Sequence, residues 1–256
     1  MTKILNAKRF GAGQPLVILH GLFGMLDNWQ GLAKEFGQFF ETHILDQRNH
    51  GESFHSEEFN YEILSNDLKY YIDYHQIKNF SLIGHSLGGK TAMMFASTYP
   101  NTVKKLIVVD ILPIYYKNDY ENILQSLKSL DFKSISSRLD ADKALSIFIQ
   151  DQSFRSFLLK NLKRVSKDKL TFKIDLDIIS DNLSEVEKAL PRDLYFPGET
   201  LFIKGQKSDY IDNQKFKIIH NSFPKSRLVE VSNAGHWVHA ENLNDFAEET
   251  LYFLKY

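Results

Sequence analysis

Cysteine is absent from the 256 residues. That absence excludes a disulfide framework, a thiol nucleophile and a cysteine-bound metal, and it fits a reducing compartment. Excess charge is also missing, because 31 Lys and Arg stand against 32 Asp and Glu for a formal net charge of -1. The basic footprint of a nucleic-acid binder is therefore not there. No apolar run approaches the roughly 20 residues that cross a bilayer, so no membrane span is expected. Met1 to Phe10 mixes Lys3, Asn6, Lys8 and Arg9 with a few apolar residues and holds no signal-peptide core. The expected location is the cytoplasm. No Pro/Gly/Ser-rich linker, internal repeat or low-complexity tract breaks the chain, and no second independent domain is expected.

What the chain does have is apolar material, 43% of its residues, enough at this length for one large core. Pro15 to Leu19, Thr42 to Leu45, Phe80 to Ile83 and Lys105 to Val109 are short aliphatic or β-branched runs followed by glycine or polar turns. These read as buried parallel strands. Between them Tyr61, Leu64, Leu68, Tyr71 and Ile72, and again Ala92 to Tyr99 ahead of Pro100, follow helical spacing. Alternation of strand and helix predicts a doubly wound α/β sheet. After Pro113 the spacing turns helical, as in Ile123, Leu124, Leu127 and Leu130, or Phe154, Phe157, Leu158 and Leu162. Strand character returns at Thr200 to Ile203 and Arg227 to Val231, ahead of a last helical stretch from Asn244 to Leu254. The expected layout is a core of residues 1–112 and 196–256, with a helical cap, 113–195, inserted in it.

Gly84-His85-Ser86-Leu87-Gly88 has the form G-x-S-x-G, between the apolar run Phe80 to Ile83 and the helical stretch from Lys90. A sharp strand-to-helix turn with a strained serine requires minimal side chains two residues to either side, and Gly84 and Gly88 supply them. The pattern resembles the nucleophile elbow of α/β-hydrolases, with Ser86 as nucleophile and the Leu87 N–H as one oxyanion donor. His20-Gly21-Leu22-Phe23-Gly24 follows the first strong strand, where such proteins carry a loop that supplies the second donor. Leu22 is the expected donor, and His20 is expected to order the loop rather than transfer protons.

Nine histidines are present, so position must select the base. In this fold the order is nucleophile, acid, histidine, with the histidine on the loop after the last strand. Asn233-Ala234-Gly235-His236-Trp237 follows Arg227 to Val231, which makes His236 the expected base. His239 lies about one helical turn beyond it. Two aspartates stand just past strand ends, where sites in open parallel sheets collect. They are Asp110, closing Leu106 to Val109, and Asp209, in Gly205-Gln206-Lys207-Ser208-Asp209. Either could orient the imidazole.

Several stretches together are more specific than any one: His20-Gly21-Leu22-Phe23-Gly24 with Asp27-Asn28, Asp46-Gln47-Arg48-Asn49-His50-Gly51, Gly84 to Lys90, Val109-Asp110-Ile111 with Pro113, and Gly235 to Glu241. Over nearly the whole chain they resemble the YbfF-type esterases and their mammalian abhydrolase-domain relatives. The resemblance implies a mostly parallel sheet of the eight-stranded type, Asp110 as the acid with Asp209 as the alternative, and hydrolysis of a small-molecule carboxylic ester or acyl thioester. It implies no cofactor and no metal, and a monomer or homodimer. Asp46, Arg48, Asn49 and His50 read as a structural ion-pair and hydrogen-bond cluster, and His236-Trp237-Val238-His239 is not a zinc-binding H-E-x-x-H helix. Phe148, Phe154, Phe157 and Leu158 are candidates for apolar substrate contact, and Lys160, Lys163 and Arg164 for a solvated helix face that could attract an anionic coenzyme A group. Other reactions hosted by this scaffold (carbon-carbon hydrolysis, lyase or cofactor-free haloperoxidase chemistry), a non-enzymatic ligand-binding module and a membrane-surface lipase remain open alternatives.

Overall fold

The computed structural model describes residues 3–117, 119–166 and 169–256. Among the described residues nine strands run in chain order: β1 (Ala7–Phe10), β2 (Pro15–Leu19), β3 (Glu41–Leu45), β4 (Phe80–His85), β5 (Val103–Val109), β6 (Leu162–Ser166), β7 (Lys169–Phe172), β8 (Glu199–Gly205) and β9 (Ser226–Val231). Helices α1 (Gln30–Phe36), α2 (Tyr61–Tyr74) and α3 (Leu87–Thr98) lie among the first five strands. The segment between β5 and β8 carries α4 (Tyr120–Lys128), α5 (Arg138–Leu145), α6 (Gln152–Leu159), α7 (Leu176–Asp181) and α8 (Leu183–Glu187). The last part holds α9 (Asn213–Ile218), α10 (Val238–Glu241) and α11 (Leu243–Lys255).

The sheet order is β1-β3-β2-β4-β5-β8-β9. Every pairing in it is parallel except β1 with β3. Successive side chains of a strand face opposite ways, and the core divides accordingly. Val17, Leu19, Leu82, Leu106, Val108 and Phe202 face α2 and α3 in one cluster. Leu16, Ile18, Ile83, Ile107, Val109 and Ile203 face α1 and α11 in the other. With both faces covered, the middle strands are apolar throughout, which is why they stand out in the sequence. From β2 the chain moves outward to β3 and then returns to β4 on the other side of β2, so the winding direction reverses between β2 and β4. The loops after those two strands therefore border the crevice where α/β sheets bind ligands.

Two expectations are corrected. Among the described residues the sheet has seven strands rather than eight; its edge is the single antiparallel β1, and Asn6 just before it accepts from the Asp46 N–H at 2.9 Å. Segment 113–195 is not purely helical, since β6 and β7 form an antiparallel hairpin. Leu162 was expected to continue a helix, but it pairs with Phe172, and Lys163 and Arg164 lie exposed on β6 rather than on a helix face. Three helices of this segment, α5, α6 and α7, begin at side-chain caps: Ser137, Asp151 and Asp175 accept from the N–H groups of Asp140, Phe154 and Ile178 at 3.1, 2.9 and 3.1 Å. Among the described residues no helix is long and apolar enough to cross a membrane.

Candidate active site

β4 ends in the turn that starts α3, and Ser86 sits there at φ 51°, ψ -115°. Non-glycine residues rarely adopt positive φ, and they do so mostly where the surroundings fix them. Here the Ser86 N–H donates to the Val109 carbonyl at 3.0 Å and the Ser86 carbonyl accepts from Lys90 N–H at 3.0 Å. A Cβ at Gly84 would come within 2.1 Å of the Gly88 carbonyl oxygen, so the close approach of strand to helix depends on that glycine. Leu87 is the first residue of α3, so its N–H has no acceptor within the helix.

The loop after β2 approaches the same point. A Cβ on Gly21 would lie 2.7 Å from His85 Nδ1 and 3.2 Å from the Ser86 Cβ. His20 is buried and neutral in character: desolvation lowers its pKa to about 4 despite the hydrogen bond to Gly21. Its Nδ1 lies 2.8 Å from the Gly21 carbonyl, and its Nε2 accepts from Gln47 N–H at 3.0 Å. The ring thus pins the loop that holds Leu22 to the end of β3.

Asp110 follows β5 at φ 53° and is fully buried. Its Oδ2 lies 2.8 Å from His236 Nδ1, the Gly205 N–H donates to its Oδ1 at 3.2 Å, and the Ser208 hydroxyl donates to Oδ2. Asp209 is exposed, and from its segment it is Ser208 that reaches the carboxylate. His236 comes from the loop after β9. Its carbonyl accepts from His85 Nε2 at 2.8 Å, and the Tyr210 ring stacks on its imidazole at 3.9 Å between centroids. The loops after β2, β4, β5, β8 and β9 therefore converge.

Ser86 and His236 open onto one cavity of about 320 Å³, with Leu22, Phe23, Phe154 and Trp237 among its walls. Of the other apolar candidates, Phe148 is exposed and Leu158 is buried in the core, while Phe157 and Lys160 line a neighbouring groove. The second cluster named in the sequence is an architectural one. Asp46 accepts from Leu26 N–H, Glu52 N–H and Asn6 Nδ2 at 2.7, 2.9 and 2.8 Å. Arg48 forms a two-pronged pair with Asp67 at 2.5 and 2.7 Å. Among the described residues no group of three or more His, Asp or Glu is placed to hold a metal ion. Ser208, Tyr210, Tyr120 and His85 were not singled out from the sequence. Ser208, Tyr210 and Tyr120 lie in a loop or short helix with no motif of their own, and their only clue is the adjacency of Ser208 and Tyr210 to Asp209; His85 ends β4 inside the Gly84 to Gly88 motif, where it is a variable position.

Residues 14–243 match the family model described as the alpha/beta hydrolase fold. The mouse sn-1-specific diacylglycerol lipase ABHD11 is 34% identical, over 93% of this chain and 80% of its own. Esterase YbfF of Escherichia coli is 30% identical, over 89% of this chain and 87% of its own. The solved structure of a marine microorganism esterase, 37% identical, superposes with a TM-score of 0.95 over 98% of this chain and 100% of that one. The chain belongs to the α/β-hydrolase family and, within it, to the group that holds esterase YbfF and ABHD11.

Proposed function

We propose that the protein is a serine hydrolase that cleaves carboxylic esters, with acyl thioesters as a second substrate class. The observation that carries this reading is the 2.8 Å hydrogen bond between buried Asp110 and His236, at the wall of the cavity that also holds Ser86. Relatives named as an esterase and a diacylglycerol lipase support ester bonds as the target.

In this reading Ser86 Oγ attacks the carbonyl carbon while His236 Nε2 takes its proton. Asp110 accepts from Nδ1–H, fixes the tautomer and stabilises the imidazolium that forms. The N–H groups of Leu22 and Leu87 receive the oxyanion. His236 then gives its proton to the departing alcohol or thiol, and water releases the acyl group by the same route. Segment 113–195 acts as a cap, bound to the core by hydrogen bonds from Asn161 Nδ2 to the Phe23 carbonyl at 2.7 Å and from Tyr61 hydroxyl to the Val186 carbonyl at 2.6 Å.

The test is fluorophosphonate labelling together with hydrolysis of p-nitrophenyl acetate and butyrate, on wild type and Ser86→Ala. Wild type is expected to label and turn over, and Ser86→Ala to lose about 10⁴-fold or more in kcat. Folded wild type that does neither, or a Ser86→Ala variant that keeps turnover, would overturn the reading.

A further inference from the structure

Two cavities meet at the nucleophile. Besides the one of about 320 Å³, a small cavity of about 10 Å³ lies against Ser86, bounded by Leu87, Tyr61, Lys90, Ile111 and Val186 among others. That is room for about one water. Leu22, Ser86 and Tyr120 line both cavities, so the boundary between them runs over these three residues. Leu22 and Ser86 belong to the reaction centre already described. Tyr120, at the start of α4, is a partition that can be removed.

Its ring is held on several sides. It meets Phe23 edge-on at 6.0 Å between centroids, and its hydroxyl lies 3.4 Å from the Tyr210 hydroxyl. The far wall of the small cavity is fixed as well. Tyr61 hydroxyl donates to the Val186 carbonyl at 2.6 Å, and Lys90 Nζ donates to the Lys188 carbonyl at 2.6 Å.

Which part of a substrate goes where follows from proton transfer. His236 lines the large cavity and not the small one, whereas Leu87 lines the small one and not the large. The group that receives a proton from the imidazole must lie on the His236 side. The alcohol or thiol therefore occupies the large cavity, and the acyl chain points into the small one past the oxyanion donors.

We infer that Tyr120 sets the acyl-chain length this protein accepts, by separating a short, small acyl pocket from the large leaving-group cavity. The inference rests on the hydrolase reading above. Replacing the ring with a small side chain joins the two cavities and gives a long acyl chain somewhere to go. Each methylene that gains apolar contact is worth about fourfold in affinity.

The experiment measures kcat/KM for p-nitrophenyl acetate, butyrate and octanoate, and labelling rates with methyl- and octyl-fluorophosphonates, on wild type, Tyr120→Phe, Tyr120→Leu and Tyr120→Ala, with near-ultraviolet circular dichroism to confirm folding. Wild type should favour acetate over octanoate. Tyr120→Ala should raise the octanoate-to-acetate ratio about tenfold or more, Tyr120→Leu less, and Tyr120→Phe, which keeps the ring, should hold the ratio within about twofold. Wild type that accepts octanoate as readily as acetate, or folded Ala and Leu variants with an unaltered ratio, would sink the inference while labelling still upholds the hydrolase. Folded wild type that neither labels nor hydrolyses overturns the hydrolase reading and this inference with it.

Discussion

Ser86, Asp110 and His236 stand on loops that leave the carboxyl ends of three parallel strands, whereas Tyr120, Ile123 and Phe154 reach the same cavity from short helices outside the sheet. The two halves are fixed by different means. On the strand side Ser86 and Asp110 both hold positive φ, and Asp110, His20, His85 and His239 are at most 4% exposed. On the other side Leu139, Ile147 and Phe148 are 62, 75 and 59% exposed, although Leu124, Leu158 and Ile179 join the apolar cluster that covers one face of the sheet. Strain needs over-determined surroundings, so chemistry belongs on the first half. On the proposed reading, variable contact with substrate falls to exposed or cavity-facing side chains of the second.

The sharpest way to break this division is at the two aspartates that follow strands. Asp110 is buried with three hydrogen-bond donors around its carboxylate, while Asp209, four residues beyond β8, is exposed. Asp110→Asn is expected to cost about 10³–10⁴-fold in kcat, because the amide favours the wrong imidazole tautomer. Asp209→Asn should stay within about twofold, as an exposed side chain makes no demand on the imidazole. Steady-state kinetics on the two variants decides the matter: a large loss in Asp209→Asn alone would reverse the assignment.

The same division explains what the sequence discloses. Buried parallel strands are apolar on both faces, and glycines that permit close approach, such as Gly84 and Gly88, sit at fixed offsets from Ser86, so the strands and the serine turn are visible from residue type and spacing, whereas the choice of Asp110 over Asp209 comes from the family resemblance. The edge strand Ala7–Phe10 is not, since Lys8 and Arg9 are exposed there and no alternation stands out. In segment 113–195 the helices are only five to nine residues long, too short for periodicity to separate helix from hairpin around Leu162. Tyr120 and Tyr210 matter through contacts 90 residues apart in the chain, which no local pattern encodes.

A second comparison concerns acid. No histidine occurs between residues 113 and 195, whereas His20, His50, His85 and His239 are buried around the strand ends. Desolvation lowers His20 to about 4 and His50 and His239 to about 3, with neighbouring histidines adding to the effect on the latter two; burial puts His85 well below its usual value. Folded-state values below the unfolded one mean that the unfolded chain binds more protons between about pH 6.5 and 4. Stability is therefore held above pH 6.5 and lost as pH falls through that window. His20, His50 and His239 together amount to about 4 kcal/mol between pH 6 and 5, and His85 acts in the same direction. Denaturant midpoints measured across that range should fall steeply. His239→Phe, which keeps the stack on Trp29 at 4.1 Å, should remove about 1 kcal/mol of that slope. A flat midpoint would mean that water reaches these rings.

The smallest effect expected lies where the two halves touch at the surface. Glu52, on the loop after β3, meets Lys163 of β6 at 3.2 Å and Lys173 just past β7 at 3.1 Å. Partial burial raises the Glu52 pKa, but the hydrogen bonds and charges of the two lysines outweigh it and the net shift is downward. A lowered carboxylate contributes stability above its unfolded value and loses it as pH falls through the folded one. Glu52 is 49% exposed, so solvent screens most of this, and Glu52→Gln should cost under about 1 kcal/mol and vanish in molar salt. Thermal unfolding at low and high salt checks the magnitude. If Glu52→Gln instead raised KM severalfold with stability intact, the hairpin would be steering substrate access, and the assignment of rigidity to one half and tolerance to the other would have to be redrawn along the hairpin.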